Sequence, residues 1–366
     1  NFGQVNSGKI HLSLSLEENS AVGNIYSPSH AIDVQQTQQN EARISVETNN
    51  QENQQDFRLV YTRSDEDVHH SLLDFRPRTD RDGYFMLMMT PNINNVRQQN
   101  IARDIIFVID ISGSMQGDKI MQARDALTYC IGTLRPEDRF DIISFSSSIR
   151  PFSSQLTPAT SENLENARYF INNLSASGGT NINQALQKAL TLQQDSDQRQ
   201  TDIIFLTDGL PTEGVTEVVQ ILSNYQNASR ENIRVFAFGV GYDVNTYLLD
   251  KLSRDSRGRS EYVKPGEAIE SAISTLFAKI SKPYLTDISL TFDGIPVHDY
   301  YPQKISDMYI GERISVMGRF SRGGKLNIYL QGKSGLKTQR YQYQVNLAER
   351  ELDNEFVSKL WANRKV

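Results

Sequence analysis

Apolar and polar positions follow three textures along the 366 residues. Residues 1–100 carry short runs in which apolar and polar side chains alternate, at 10–16, 42–46, 57–61 and 84–89. Alternation at a period of two predicts half-buried β-strands. The Gln- and Asn-rich stretches 35–41 and 48–56 separate these runs and read as hairpin loops. Residues 101–282 change character. The run 104–110 is almost continuously apolar, as a strand buried on both faces must be. A helix follows, with Ile120, Ala123, Leu127, Cys130 and Leu134 on one face. Further strands are predicted at 139–145, 201–207, 233–240 and 260–263, and helices at 161–174, 181–192, 217–229, 244–255 and 267–281. Alternating strands and helices predict an α/β, doubly wound, mostly parallel sheet. Beyond Pro283 the β texture returns at 286–292, 314–320, 325–330 and 340–347. Residues 349–366 read as a C-terminal helix with Leu352, Phe356, Leu360 and Trp361 on one face.

A β–α/β–β order has a simple architectural reading. The expected domains are a β-rich flank at 1–100, an α/β domain at 101–282, a second β-rich flank at 283–348 and a helix at 349–366. The α/β domain is then inserted into a β-sandwich built from both flanks.

Composition narrows the function classes. Lys and Arg number 38 against 44 Asp and Glu, a formal charge of −6, which argues against a phosphate-backbone binder. Mean hydropathy is −0.49, and no apolar run approaches the roughly 20 residues of a membrane-spanning helix. The single cysteine, Cys130, excludes an intrachain disulfide and a Cys-based zinc site, and its place on the apolar helix face predicts a buried core thiol. The pair His69-His70, close to Asp65, Glu66 and Asp67, reads as a solvated polar turn. A chain opening on Asn1 without a leader-like segment reads as a stretch of a longer protein.

The chemistry gathers at strand ends. The first buried strand ends in Asp110-Ile111-Ser112-Gly113-Ser114-Met115. Ligands of open α/β sheets bind beyond the carboxyl ends of the strands. Alternate residues of a tight turn can converge there, and Gly113 lets the backbone bend closely. Gly178-Gly179-Thr180 adds a hydroxyl before a helix, and Leu206-Thr207-Asp208-Gly209 ends the next central strand with a carboxylate. Asp110, Ser112, Ser114, Thr180 and Asp208 together form a hard oxygen set, suited to Mg²⁺, Mn²⁺ or Ca²⁺. Three hydroxyls and two carboxylates do not saturate such an ion. An octahedral cation held this way keeps waters and one position open to a partner's carboxylate.

Asp110-x-Ser112-x-Ser114 with Thr180 and Asp208 resembles the metal-ion-dependent adhesion site of von Willebrand factor A domains. The resemblance implies that Ser112, Ser114 and Thr180 touch the metal directly, while Asp110 and Asp208 act largely through water. FVIDISGSM at 107–115, VFAFGVGYDV at 235–244 and AKISKPYL at 278–285 resemble, more narrowly, the inter-alpha-trypsin inhibitor heavy-chain group, as does the helix around Leu360-Trp361-Ala362. In that group a β-rich VIT domain precedes the A domain, so residues 1–100 would include the end of a VIT-like region. Bacterial surface proteins share this layout, and the low cysteine count and Asn/Gln-rich loops suit such an origin.

Other readings of the same residues fit less well. Aspartyl-phosphate enzymes usually place a second Asp two residues after the first, where this chain has Ser112. Residues 113–119 do not meet phosphate-loop spacing. Gly239-x-Gly241 lacks the third glycine of a dinucleotide fingerprint, and Ser114 lacks a hydrolase elbow. Residues 101–282 contain no histidine to act as a base.

The resemblance therefore implies a non-enzymatic, divalent-metal-dependent protein-binding or adhesion module. Its expected partner is a protein presenting an Asp or Glu carboxylate, such as an extracellular-matrix or cell-surface component, with no nucleic acid. The expected setting is extracellular or at the cell surface. Helix 267–281 would couple the site to the β-sandwich. The alternatives are a metal-dependent hydrolase and a structural surface protein with a vestigial metal site.

Overall fold

The structure, a computed structural model, describes residues 9–18, 22–27, 30–38, 40–49, 57–63, 67–92, 102–192, 199–230, 232–264, 266–281, 283–335 and 337–365. The chain forms two compact units, residues 99–282 and the paired flanks 1–98 and 283–366.

In the 99–282 unit, strand β1 (Arg103–Asp110) is buried at every position, which is why its sequence shows no alternation. Helix α1 (Asp118–Gly132) follows, then β2 (Arg139–Phe145), α2 (Ser161–Asn172), α3 (Ile182–Thr191) and β3 (Gln200–Thr207). The unit closes with α4 (Val218–Ala228), β4 (Ile233–Val240), α5 (Thr246–Asp255), β5 (Arg259–Val263) and α6 (Ile269–Ile280). The long strands pair in parallel in the order β2-β1-β3-β4-β5. Short antiparallel segments, Ile149–Pro151 and Thr157–Pro158, both pair with β2. The sequence order reverses at β1, so the crevice between β1 and β3 is the topological switch point.

Each helix buries one stripe. Helix α1 turns Ile120, Ala123, Ala126, Leu127, Cys130 and Ile131 inward. Cys130 is a buried core residue, and burial raises the pKa of its thiol. On another face, α3, α4 and α5 pack Leu186, Ile221 and Leu252 against Val108, Phe205 and Val235 of the sheet. The N-terminal strand ends carry a buried ion network. Asp104 receives a two-pronged pair of hydrogen bonds from Arg139 at 2.9 and 2.6 Å. Arg103 lies 3.8 Å from Asp138 and 3.6 Å from Asp202.

The flanking unit is β-rich. One four-stranded antiparallel sheet joins Val68–Phe75, Gly83–Pro91, Ile314–Phe320 and Val297–Tyr301. The other joins Met308–Tyr309, Pro283–Asp293, Gly324–Ser334 and Lys337–Leu347. Phe85, Leu87, Val316 and Phe320 of the first share a core with Leu285, Leu290, Ile328 and Leu330 of the second. Met86 and Met88 alternate to the opposite face, where helix Phe356–Lys365 seats Val357 and Trp361 on them. That second burial explains why Gly83–Pro91 is apolar at successive positions. A smaller three-stranded sheet of Lys9–Glu17, Glu41–Asn49 and Asp33–Gln38 accompanies these. The expected fold class holds: a central mostly parallel sheet, further strands outside it and a C-terminal helix.

Three local expectations need correction. Much of the stretch 35–41 is strand rather than loop, because Asp33–Gln38 is an edge strand whose side chains are mostly exposed and tolerate Gln. His69 and His70 are not in a solvated turn. They lie on strand Val68–Phe75, with His69 buried and the His70 ring 4.2 Å from that of Tyr343. The C-terminal helix starts at Phe356, and it buries Val357 and Trp361 while Leu352 and Leu360 are exposed. Residues 50–56, Asp65, Glu66, the 93–101 boundary and Lys282 lie outside the described residues.

One buried carboxylate lacks full compensation. Asp141 on β2 accepts the Ser153 amide at 2.9 Å through Oδ1, while buried Oδ2 has no hydrogen-bond partner among the described residues. Burial raises its pKa to about 7. The folded state therefore holds a proton that the unfolded chain has released. The stability this contributes is present below the unfolded pKa and is lost as pH rises through about 7. Denaturant midpoints of wild type should fall by the equivalent of roughly 3 kcal/mol between about pH 5 and pH 8 relative to Asp141→Asn. Parallel pH profiles for the two proteins would exclude this assignment.

Candidate metal centre

Four of the five sequence-predicted oxygen donors hang from the carboxyl ends of β1 and β3 or the turns that follow them. Asp110 is the last residue of β1, and Asp208 follows the last residue of β3. Beyond Asp110 the chain cannot continue as a strand, because the Ser112 amide folds back to Asp110 Oδ1 at 2.8 Å. A single turn of 3₁₀ helix, Gly113–Met115, follows, with the buried Met115 side chain anchoring it.

This turn brings the donors together. Ser112 Oγ and Ser114 Oγ lie 3.1 Å apart, and the Ser114 hydroxyl donates to Asp208 Oδ1 at 2.7 Å. Thr180 comes from the loop before α3. A Cβ placed on Gly209 would lie 3.7 Å from Thr180 Oγ1 and 4.0 Å from Ser114 Oγ. Both hydroxyls therefore border one small space, kept open because residue 209 has no side chain. The structure thus brings Ser112, Ser114 and Asp208 into direct succession, with Thr180 bordering the same space. Asp110 sits behind them. All but Ser114 are buried, and Ser114 is exposed.

Four loops are tied to hold this geometry. Gly113 N–H donates to Gly178 O at 3.0 Å, and Ser177 N–H to Ile111 O at 2.7 Å. Thr180 N–H donates to Thr212 Oγ1 at 2.9 Å, while Thr212 N–H returns to Thr180 O at 3.0 Å. Ser147 Oγ accepts from Gly179 N–H at 2.8 Å and donates to Glu213 Oε1 at 2.6 Å. Gly178 has φ +83°, a left-handed conformation. A Cβ there would also lie 2.8 Å from Ser147 Oγ.

The electrostatics are those of two adjacent buried carboxylates. Burial raises the Asp110 pKa. Nearby Asp208 pushes the same way, while hydrogen bonds from Ser112 and Thr207 oppose the shift. Asp208 receives, besides Ser114, the Lys119 ammonium at 2.5 Å on Oδ2. The donor set consists of hard hydroxyl and carboxylate oxygens and fits a hard divalent cation. Among the described residues no group of three or more His, Cys, Asp or Glu side chains is placed to hold a metal by itself.

Two contributors escaped the sequence reading. Thr207 Oγ1 donates to Asp110 Oδ2 at 2.6 Å, closing the second oxygen of that carboxylate. Its signal was slight, a threonine ending an apolar strand. Lys119 had a stronger one. It is a cation in the first turn of a helix, where the macrodipole disfavours positive charge and a nearby anion is needed. Replacing Thr207 by Val should strip one buried hydrogen bond from Asp110 while keeping shape. The expected loss is about 1–3 kcal/mol in denaturant unfolding of the metal-free protein, and a change within error would show that this bond does not hold Asp110.

Comparisons with known proteins bear on the family and the fold. The von Willebrand factor type A domain model matches residues 103–262. The chain is 30% identical over 298 residues to human (Homo sapiens) inter-alpha-trypsin inhibitor heavy chain H4, covering 77% of this chain and 32% of that one. It is 32% identical over 229 residues to heavy chain H1 of Mesocricetus auratus, covering 61% of this chain and 25% of that protein. It thus spans only a quarter to a third of the length of these relatives. Among solved structures, a von Willebrand factor type A protein from Catenulispora acidiphila gives a TM-score of 0.62 at 17% identity, covering 80% of this chain and 75% of that one. The ArnB paralog VWA2 from Sulfolobus acidocaldarius gives 0.53 at 16% identity, covering 81% and 80%. At those identities the likeness is one of fold. The strand order, the loop geometry and the family match converge: residues 103–262 belong to the von Willebrand factor type A family, in a chain similar to inter-alpha-trypsin inhibitor heavy chains.

Proposed function

We propose that this chain is a protein-binding module in which Asp110, Ser112, Ser114, Thr180 and Asp208 hold a divalent cation, Mg²⁺, Mn²⁺ or Ca²⁺, and a partner's Asp or Glu carboxylate completes its coordination. The observation that carries the reading is the continuous set of oxygens Ser112–Ser114–Asp208, with Thr180 beside it at Gly209. When bound, such an ion supplies a coordination position that accepts an anionic oxygen.

The residues divide the work. Ser112, Ser114 and Thr180 offer neutral oxygens, which leave a divalent ion with positive charge to offer a partner. Asp110 has both oxygens engaged by Ser112 N–H and Thr207 Oγ1–H, so it orients the turn rather than facing outward. Ser114, the exposed member, marks the side from which a partner approaches. The loops 145–152, 176–183 and 209–215 surround that side and would select among acidic partners by shape.

The absence of a histidine between residues 101 and 282 weighs against Ser–His catalysis, and kinship to von Willebrand factor A domains favours binding over metal-dependent hydrolysis. The kinship to inter-alpha-trypsin inhibitor heavy chains supports an extracellular or cell-surface setting, with an extracellular-matrix or cell-surface protein as partner. The one cysteine and the Asn- and Gln-rich stretches 35–41 and 48–56 support a bacterial surface origin as the finer form of this proposal. Among the described residues, no helix is long and apolar enough to cross a membrane.

Calorimetric titration of the metal-stripped chain with MgCl₂, MnCl₂ and CaCl₂ tests the site. Ser112→Ala and Asp208→Ala should each weaken binding at least about tenfold, or about 1.4 kcal/mol. Capture of an extracellular partner should be lost in EDTA and in Ser112→Ala. Undiminished capture by Asp208→Ala in the presence of EDTA would overturn the reading.

A further inference from the structure

Both oxygens of Asp208 are engaged by the chain's own donors. Oδ1 accepts from the Ser114 hydroxyl at 2.7 Å, and Oδ2 accepts from Lys119 Nζ at 2.5 Å. The two partners differ in kind. Ser114 is itself one of the proposed metal donors. Lys119 is a cation, and it stands against one of the two carboxylates that the site offers to an incoming cation.

The placement of Lys119 is specific. The Asp208 side chain is fully buried, whereas that of Lys119 is 37% exposed. The ammonium thus reaches into the site from its solvent edge and can return to water along a flexible stem. Gly241, at φ +86°, leaves room beside it, since a Cβ there would come 4.0 Å from Nζ. Lys119 also occupies the first turn of α1, where the helix dipole repels a cation. The contact with Asp208 must offset that repulsion.

We infer that Lys119 is a resident counter-ion of the metal site, which neutralises Asp208 in the metal-free protein and competes with the divalent cation for it. The inference rests on the metal-site reading above. Two effects act in one direction. The ion pair must break or weaken before a divalent ion has full use of Asp208, and an ammonium that stays near the loaded site repels the ion. Lys119 therefore lowers metal affinity and sets the ion concentration at which the module becomes competent to bind. A purely positioning lysine, one that orients Asp208 toward the metal, would have the opposite effect, so the sign of the change separates the two roles.

The test uses the full chain, stripped of metal, as wild type, Lys119→Met, Lys119→Gln, Lys119→Arg and Asp208→Ala. Each is titrated with MgCl₂ and MnCl₂ by calorimetry at fixed ionic strength, and its thermal midpoint is measured with and without metal. Lys119→Met and Lys119→Gln should bind both ions at least tenfold more tightly than wild type, whereas Lys119→Arg should stay within threefold. In the absence of metal, the two neutral variants should melt below wild type, because Asp208 loses its counter-ion, and added Mg²⁺ should raise their midpoints by more than it raises that of wild type. Two neutral variants guard against one of them folding poorly. Equal or weaker binding by both, with Asp208→Ala still abolishing it, would overturn the role of Lys119 and leave the metal site standing. Binding that Asp208→Ala leaves untouched would overturn the site and this inference together.

Discussion

The site depends on two carboxylates placed side by side out of water. Asp110 and Asp208 end up together because β1 and β3 are parallel neighbours with adjacent carboxyl ends. Taking one carboxylate out of water is costly, and taking two out near each other adds mutual repulsion. The chain offsets this with short donors at every oxygen: the Ser112 amide and Thr207 hydroxyl on Asp110, and the Ser114 hydroxyl and Lys119 ammonium on Asp208. The tight turn after β1 is a consequence. Ser112 has to fold back to reach Asp110, and doing so delivers Ser114 to Asp208.

The opposite end of the same sheet solves a similar problem with different chemistry. There Asp104, Asp138 and Asp202 are buried, and arginines answer them. The Arg139 guanidinium grips both oxygens of Asp104. A planar fork of this kind is rigid and always charged, so the pairing is closed to exchange. At the carboxyl end the partners are a main-chain amide, two neutral hydroxyls and one lysine on a flexible stem. These can be rearranged without unfolding anything. The contrast between an arginine-paired end and a lysine-paired end fits the proposal that the carboxyl end holds the ligand.

Much of this was legible in the residues. The unbroken apolar run of β1 and the periodicity of α1 identified buried elements because burial on both faces, or on one stripe, leaves a mark on composition. The proposed donors could be read from their places in the chain: Asp110 and Asp208 at strand ends, Ser112 and Ser114 at alternate positions of the following turn, and Thr180 after a glycine pair before a helix. Elements at the margins were less legible. Asp33–Gln38 is an edge strand whose polar side chains face solvent, so it looks like a loop. His69 is buried by its place in a strand, and a local sequence of His and acidic residues gives no hint of that. Leu352 lies exposed before helix Phe356–Lys365, whose Val357 and Trp361 pack on methionines distant in sequence, a long-range contact that local periodicity does not show. Thr207 and Lys119 were missed for the same reason. Their importance lies in what they touch across about 90 to 100 residues of chain, 97 positions for one and 89 for the other.

The cross-ties among the loops bear on how the proposed module would respond to a ligand. Thr180 exchanges hydrogen bonds with Thr212 through its amide and carbonyl, and Ser147 links Gly179 to Glu213. The loop carrying Thr180, the loop after Asp208 and the loop after β2 are therefore fastened to one another through main-chain and side-chain hydrogen bonds. A site so held has little ordering entropy left to lose when a ligand arrives. The parts held through side-chain hydrogen bonds at the solvent edge are Ser114 and Lys119. Any adjustment on loading thus falls on those two side chains first, and the tied loops move only if Asp208 itself moves. Since Asp208 leads directly into the loop that carries Thr212 and Glu213, a shift there would pass to Thr180 through two hydrogen bonds rather than through a chain of loose contacts. The same ties that pre-order the site would then make its donors respond as a unit.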